Sequence, residues 1–180
     1  MGEAVSDKGT RDLSRLNAVS IGCGPVKDED AINVDRDPGS VADVFHDLNS
    51  VPWPFPDGRF EEVRLSHVIE HLDDPDRIVR EAHRVCRAGG VVKIVTPHFS
   101  SYESYGDITH KYHFGLVTFK PYYSGARPLY RLASRTLSFG SSPLTWPGRL
   151  LAALSYDLYE KYFAWTFPGR NMEFRLEVLK

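Results

Sequence analysis

The stretch EEVRLSHVIEHLDDPDRIVREAHRVCRAGGVVKIVTP restricts the fold of this chain more than any other segment. Residues 61–66 alternate between polar and apolar side chains and predict a strand. Asp74 or Pro75 then begins an amphipathic helix, which the pair Gly89–Gly90 ends. Residues 91–97 are rich in Val and Ile, as buried strands are. A strand, a helix and a second strand in this order predict a parallel sheet with helices on both faces.

Further segments extend this α/β pattern along the chain. Strands are predicted at 18–22, 31–35, 41–48, 130–140 and 172–180, a short helix at 67–72, and a long amphipathic helix at 144–167. The segment from 98 to 128 is predicted to be a loop region rich in aromatic residues and histidine. No linker, repeat or low-complexity tract interrupts the sequence. We therefore expect residues 1–180 to form a single domain.

Charge and composition limit the classes of partner and the compartment. Lysine and arginine number 22 against 24 aspartate and glutamate residues, a net charge of −2, so no basic field favours nucleic acid. No apolar run is long enough for a transmembrane segment, and the start MGEAVSDKGTRD lacks the apolar core of a signal peptide. The two cysteines, Cys23 and Cys86, are far apart and form no disulfide framework. We expect a cytoplasmic domain without a transmembrane segment or nucleic-acid partner.

The segment SIGCGPVKDEDAINVD joins the first two predicted strands and contains a candidate cofactor site. Gly22 and Gly24 follow the first strand and Asp35 ends the second, where ligands of open α/β sheets bind. A dinucleotide fingerprint needs a third glycine, but Lys27 stands in that position, and the interval 25–31 is too short for a full helix. These residues alone leave two interpretations open, a cofactor site and a tight turn beside a surface acid.

Residues 18–100 resemble the class I S-adenosylmethionine-dependent methyltransferases of the small type 11 group. Five stretches carry the resemblance in the order of that family: IGCG, the acid of NVD, DLNSVPWPFPDGRFEEV, SHVIEHL and RVCRAGG. The resemblance implies a Rossmann-like, seven-stranded sheet, mostly parallel with an antiparallel last strand at 172–180. It also implies S-adenosylmethionine as the cofactor. The first helix of that fold is reduced here, and no family motif follows residue 115.

The resemblance also implies roles for individual residues. Asp35 would bind the ribose hydroxyls, Asp47 the adenine amino group, and the backbone near Ser66 the methionyl amine. The full set of cofactor-binding residues is Ile21, Gly22, Cys23, Gly24, Asp35, Arg36, Asp47, Leu48, Ser66 and His67. Lys27 or Arg15 are candidates for binding the cofactor carboxylate.

Histidines near the predicted strand ends are candidates for the catalytic base, because imidazole titrates near neutrality. His98 follows the fifth strand, on the expected rim of the acceptor side, and is the first choice; His67 is the second. A divalent metal held by His98, Asp107, His110 and His113 is an alternative. Aromatic packing and substrate contacts explain these loop histidines equally well, so our prediction contains no metal.

The region 144–167 includes YDLYEKYFAWTF and is unusually rich in aromatic residues. It could pack on the sheet, form a homodimer face, lie on a membrane surface, or cover an apolar or sugar-like acceptor together with 98–128. We predict methyl transfer from S-adenosylmethionine to a small-molecule or glycan-like acceptor, at oxygen, with this region as an acceptor-side cap. The alternative is a non-catalytic cofactor-binding or scaffold protein on the same fold.

Overall fold

In a computed structural model of the protein, residues 12–180 are described and build one seven-stranded sheet. The strands are β1 (Ala18–Ile21), β2 (Ala31–Asp35), β3 (Val44–Phe45), β4 (Phe60–Ser66), β5 (Cys86–Pro97), β6 (Tyr130–Leu137) and β7 (Asn171–Val178). The α-helices are α1 (Pro75–Val85), α2 (Tyr102–Gly106), α3 (Lys120–Tyr123), α4 (Trp146–Leu154) and α5 (Tyr156–Tyr162). The segment 1–11, from which the absence of a signal peptide was inferred, lies outside the described residues.

The strand order is β3-β2-β1-β4-β5-β7-β6, which confirms the expected methyltransferase-type sheet. The chain runs outward from β1 to β2 and β3 on one side and returns to β4 on the other. β1 pairs in parallel with both β2 and β4, whereas β7 is antiparallel to β5 and to β6. The strand order therefore reverses between β1 and β4, and a crevice for ligands is expected at the carboxyl ends of these strands.

Apolar side chains from both faces of the sheet form the core. Val19 and Ile21 of β1 are almost fully buried, as are Val92 and Ile94 of β5. Helix α1 contributes the buried stripe Ile78, Val79, Ala82 and Val85. Burial of side chains of this size stabilises the fold by roughly 1.5–3 kcal/mol each. The parallel strands are thereby fixed, and with them the loops at their carboxyl ends.

The predicted beginning of α1 agrees with the structure, but its predicted end does not. The Asp74 side chain accepts a hydrogen bond from the N–H of Arg77 and caps the helix. The helix ends at Val85, and β5 begins at Cys86, before the glycine pair rather than after it. Around Gly90 the register of β5 against β4 shifts, and a Cβ at Gly90 would lie 2.8 Å from the carbonyl oxygen of Glu61. The glycines therefore accommodate an irregular strand pair rather than a helix end.

The predicted helix at 144–167 is divided into α4 and α5 by Ser155, which has extended backbone (φ −163°, ψ 120°). The hydroxyl oxygen of Ser155 accepts a hydrogen bond from the N–H of Leu158 and caps α5. The Ser155 side chain thus competes with the helix for a backbone hydrogen bond. The spacing of apolar residues in the sequence does not reveal this break between the two helices.

Other predicted elements are present but shorter. The third strand is only Val44–Phe45, the helix predicted at 67–72 is a 3₁₀ turn at Ile69–His71, and the strand predicted at 130–140 ends at Leu137. Among residues 12–180, no helix combines the length and apolar content needed to cross a membrane.

Candidate cofactor and acceptor site

A cavity of about 240 Å³ opens at the carboxyl ends of β1, β2 and β4. Seven of the predicted cofactor residues line it: Gly22, Gly24, Asp35, Arg36, Asp47, Leu48 and His67. Four further residues that the sequence analysis did not include also line it: Asn49, Val68, His71 and Leu72. We refer to this space as the cofactor cleft.

The turn after β1 needs glycine at two positions for different reasons. Gly22 has φ of 70°, and a Cβ there would lie 2.3 Å from Cγ2 of Val68. Gly24 has φ of 58°, but a Cβ there would have open space around it. The N–H of Gly22 donates to the carbonyl oxygen of Val34 at 2.8 Å, which ties the turn to β2. The backbone therefore approaches the cleft closely, without side chains between it and a ligand.

Asp35 is half-buried at the end of β2 and organises both loops beside it. Its Oδ2 accepts the N–H of Gly24 at 2.8 Å, and its Oδ1 accepts the N–H of Asp37 at 3.0 Å. An ionised carboxylate has about four acceptor positions, so two remain for a ligand. Two adjacent hydroxyl groups of a ribose fit such an acceptor.

The connection from β1 to β2 contains no helix, as the sequence interval predicted. The buried side chain of Asn33 holds it instead: its Nδ2 donates to the carbonyl oxygen of Asp28 at 2.9 Å and to Oδ2 of Asp43 at 2.9 Å. Its Oδ1 accepts the N–H of Asp28 at 2.9 Å. A polar network therefore replaces the packing that a first helix would supply.

Neither cation suggested for the cofactor carboxylate lines the cleft. Lys27 Nζ pairs with Oδ1 of Asp43 at 3.3 Å, and Nε of Arg15 pairs with Oδ2 of Asp12 at 3.0 Å. Both cations are thus engaged elsewhere, and binding of the carboxylate by Lys27 or Arg15 stays a prediction.

His67 stands at the end of β4 in left-handed backbone, with φ of 52°. Its N–H donates to the carbonyl oxygen of Val95 at 2.9 Å, which fixes this conformation beside β5. Its Nδ1 lies 3.5 Å from Oε1 of Glu70. The interaction with Glu70 raises the pKa of His67 above its usual value, against the opposing effect of burial. Residues held in left-handed backbone cluster at functional sites.

A second cavity of about 410 Å³ adjoins the cofactor cleft, and the two share His67 and His71. We call it the acceptor cavity. Polar and titratable side chains surround it, including Glu70, Asp107 and His110. A third cavity of about 610 Å³ shares Tyr102 and Glu103 with the acceptor cavity and extends to Trp165. These cavities form one continuous path along the loops after β4 and β5.

His98 does not lie on the rim of the cleft as the sequence predicted. Its side chain is fully buried, because the chain after β5 turns inward and pairs with Phe114. Its Nδ1 is 2.8 Å from Oγ of Ser100, and its Nε2 is 3.3 Å from Oε1 of Glu160. Both ring nitrogens are therefore engaged, and neither faces the cofactor cleft or the acceptor cavity.

Three other predicted cofactor residues lie near the cleft without lining it. Ile21 is buried in β1, Ser66 is exposed at the end of β4, and Cys23 is half-buried in the glycine turn. Burial raises the pKa of the Cys23 thiol. A contact of Ser66 or Cys23 with a bound ligand stays a prediction.

The four residues of the alternative metal site are not brought together. His98 is buried against Glu160, whereas Nδ1 of His113 is 2.9 Å from Oγ of Ser104. The His113 ring stacks on Tyr105, with 3.9 Å between the ring centroids. Asp107 and His110 do approach each other, with 4.0 Å between Oδ2 and Nε2.

Residues 17–94 match the family model described as a methyltransferase domain, and these residues contain the whole cofactor cleft. This likeness to methyltransferase domains spans fewer than half of the residues of the chain. Solved structures support the fold. A SAM-dependent methyltransferase from Archaeoglobus fulgidus is 20% identical, with a TM-score of 0.60 over 92% of this chain and 87% of that one.

The fold of the chain is also similar to that of a geranyl diphosphate methyltransferase solved in complex with SAM. The two are 12% identical, with a TM-score of 0.59 over 92% of this chain and 79% of that one. Ajmaline N-methyltransferase of Rauvolfia serpentina is 38% identical over 48 residues, 27% of this chain and 16% of that protein. The chain thus matches only about a sixth of the length of this relative.

Of the four additional residues that line the cofactor cleft, His71 could have been predicted from the sequence. His71 follows His67 by four positions in SHVIEHL, so a helical turn brings both toward the same end of β4. His71 is half-buried and lines both cavities.

Proposed function

We propose that the protein transfers a methyl group from S-adenosylmethionine to an oxygen atom of a small-molecule or glycan-like acceptor. One observation carries the proposal: the cofactor cleft and the acceptor cavity meet at His67 and His71. Methyl transfer requires donor and acceptor to be aligned while water is excluded, and two adjoining cavities supply that arrangement.

The residues of the cofactor cleft fit the proposed cofactor. Asp35 retains acceptor positions for the ribose hydroxyls, and Asp47 and Leu48 lie where the adenine ring would bind. The open space at Gly24 admits the methionyl part next to the backbone. When bound, S-adenosylmethionine would supply the methyl group from its sulfonium, and the acceptor hydroxyl would give its proton to the neutral Nε2 of His67.

His67 is the proposed contact for the acceptor hydroxyl. Its Nδ1 faces Glu70, so its Nε2 can accept a hydrogen bond from that hydroxyl and orient an oxygen lone pair. The left-handed backbone holds the imidazole at the junction of the two cavities. His98 is left out of this role because it is buried with both ring nitrogens engaged.

A glycan-like acceptor is supported by exposed aromatic rings along the third cavity. Tyr102, Tyr105 and Trp165 expose 82%, 54% and 68% of their surface and line it together with Ser141 and Arg170. Flat apolar rings beside hydrogen-bonding groups are suited to sugar faces. These rings come from the 98–128 and 144–167 regions, which we propose as the acceptor-side cap of a single domain.

Location and assembly are also part of the proposal. Cys23 and Cys86 are free thiols, which supports a reducing, cytoplasmic environment. Helices α4 and α5 expose Trp146, Leu154 and Leu158, a surface suited to a homodimer. Sedimentation analysis of the intact chain and of Leu154→Glu tests this: loss of a dimer in the variant supports it, and a monomeric parent protein removes it.

Thermal unfolding in the presence of S-adenosylmethionine, S-adenosylhomocysteine and NAD tests the cofactor. We expect the first two to raise the melting temperature and NAD to leave it unchanged, because only ligands of the native state stabilise it. Incubation with labelled S-adenosylmethionine and a panel of mono- and disaccharides then tests transfer. Stabilisation without transfer to any acceptor would favour the scaffold alternative, and stabilisation by NAD alone would refute the cofactor.

A further inference from the structure

Three side chains with metal-binding chemistry meet at the floor of the acceptor cavity. Glu70, His71 and His110 each offer one ligand atom, and these atoms all lie within 4.8 Å of one another. The His71 and His110 rings are in edge contact, with 4.6 Å between their centroids. This set differs from the one that the sequence suggested, because it draws Glu70 and His71 from the 3₁₀ turn after β4.

Glu70 is a buried carboxylate, and one of its two oxygens makes no close hydrogen bond. Only 1% of the residue is exposed. Its Oε2 accepts the hydroxyl of Thr96 at 3.1 Å. Its Oε1 makes no hydrogen bond of normal geometry among residues 12–180, and Nδ1 of His67 lies 3.5 Å away from it. A buried carboxylate oxygen without a donor or cation is costly, and natural proteins supply one or the other. His67 approaches Oε1 only at long range, so a cation bound at Oε1 would complete the coordination of this buried oxygen.

Hydrogen bonds at Nδ1 leave Nε2 of both histidines available to a metal. Nδ1 of His110 lies 3.0 Å from the carbonyl oxygen of Ser104, which can only accept, so Nδ1 carries the proton. Nδ1 of His71 lies 2.9 Å from Oγ1 of Thr109. Thr109 donates its hydroxyl proton to Asp107 at 2.7 Å, so His71 is again the donor. Metal-binding histidines typically donate their second ring N–H to such oxygen atoms.

The backbone holds the three ligands as one unit. Glu70 and His71 are consecutive, and the loop that carries His110 is hydrogen-bonded to the same turn. The N–H of Lys111 donates to the carbonyl oxygen of Glu70 at 2.8 Å. A tetrahedral zinc ion needs ligand atoms about 3.3 Å apart, from metal–ligand distances near 2.1 Å. Since the ligand atoms lie within 4.8 Å of one another, a closure of up to about 1.5 Å within this turn and loop meets that requirement.

We infer that Glu70, His71 and His110 bind one divalent transition-metal ion, with Zn²⁺ as the best match. Two imidazole nitrogens and one carboxylate oxygen are a common ligand set of catalytic zinc sites, which keep a further position open. Here that position faces the acceptor cavity. The metal binding stands on these residues alone. Its role, which rests on the methyl transfer proposed above, is to bind the acceptor oxygen and hold it beside the cofactor cleft.

Metal titration of the full chain tests the site. The protein is treated with a chelator, dialysed, and titrated with ZnCl₂ by calorimetry and with CoCl₂ by visible absorption. We expect one ion per chain and cobalt bands of nitrogen and oxygen coordination. His110→Gln and Glu70→Gln should each weaken zinc binding by about 100-fold or more, since loss even of an outer partner of a ligand costs 10–100-fold.

His113→Gln is the matched control, because His113 lies on the same loop but outside the three-residue set. It should leave zinc affinity unchanged. Glu70→Gln retains the size of the side chain, and circular dichroism checks that each variant folds; His71→Gln serves as a second ligand variant if one does not. A parent chain that binds neither ion overturns the inference, as does zinc binding that depends on His113 but survives Glu70→Gln and His71→Gln.

Melting curves with S-adenosylmethionine separate this inference from the proposed function. Stabilisation by S-adenosylmethionine in a chain that binds no metal refutes the metal site and leaves the proposed function intact. Stoichiometric zinc binding without any stabilisation by S-adenosylmethionine refutes the proposed function and the role of the ion toward the acceptor, and leaves the site itself.

Discussion

The backbone N–H of Gly24 donates to Oδ2 of Asp35 at 2.8 Å, so the turn after β1 is fastened to the last residue of β2. This bond lies at the mouth of the cofactor cleft. In a fold with a full first helix, the helix would position this turn. Here the carboxylate has both tasks, because it shapes the turn and retains acceptor positions for a ligand.

Asp35→Asn should weaken S-adenosylmethionine binding with little change in fold. The amide keeps an oxygen that can accept from Gly24 but loses the charge, and hydrogen bonds to charged groups contribute about 1.5–3 kcal/mol. We therefore expect Kd to rise by roughly 10- to 100-fold, as calorimetry would measure. Asp37→Asn is the control, because Asp37 is exposed beside it and does not line the cleft. Equal affinity for both variants would remove Asp35 from the site.

Alanine substitutions at Gly22 and Gly24 should differ in their effects on the free energy of unfolding and on cofactor affinity. Gly22→Ala places a methyl group 2.3 Å from Val68, so we expect a loss of unfolding free energy of about 2–4 kcal/mol. Gly24→Ala meets no atom within 4 Å and should cost only about 1 kcal/mol of backbone strain. Its methyl group points into open space at the cleft, so cofactor affinity should still fall. Urea unfolding and calorimetry on both variants test this contrast, which equal stability of the two would contradict.

His98→Ala should destabilise the protein rather than remove a catalytic group. The substitution removes a buried imidazole and its hydrogen bonds with Ser100 and Glu160, which typically costs about 1–3 kcal/mol. Urea unfolding should show this loss, while S-adenosylmethionine affinity of the folded protein should stay unchanged. His46→Ala is the comparison, since His46 makes its hydrogen bond to Ser50 near the surface. A stable but inactive His98→Ala protein would restore His98 as the base.

Trp165→Ser should weaken acceptor binding and spare cofactor binding. Trp165 lines the third cavity and exposes 68% of its surface, so its removal deletes a stacking face without opening the core. Trp146→Ser is the matched control: Trp146 is 65% exposed on α4 and does not line that cavity. Saturation kinetics with an acceptor from the saccharide panel should show a KM increase for Trp165→Ser alone. Equal effects of both substitutions would mean that this surface is structural.

The central part of the fold was predictable because its signals are local. Residues 61–66 alternate in polarity, Asp74 caps a helix with one apolar stripe, and residues 91–97 are β-branched, so each element is specified within a few positions. The position of the residues that line the cofactor cleft was predictable for a related reason. They stand at strand ends, where chain order alone brings Gly22 and Asp35 together.

The features that the sequence did not predict depend on contacts between distant segments. The burial of His98 results from Glu160, which lies on α5 and reaches back across the loops. Glu70 lies in the short turn after β4, and Thr96 and the loop at Lys111 enclose it. The spacing of residues within one segment carries no information about contacts between distant segments. The candidate acceptor cavity could therefore be recognised only in the structure.

The left-handed backbone of His67 limits which amino acids can occupy this position. Glycine and asparagine adopt such a conformation readily, whereas β-branched residues do not. A homologue with glycine or asparagine here would keep the shape of the junction and lack the imidazole. Under the role proposed for His67, such a homologue would retain the architecture and lack the contact for the acceptor hydroxyl.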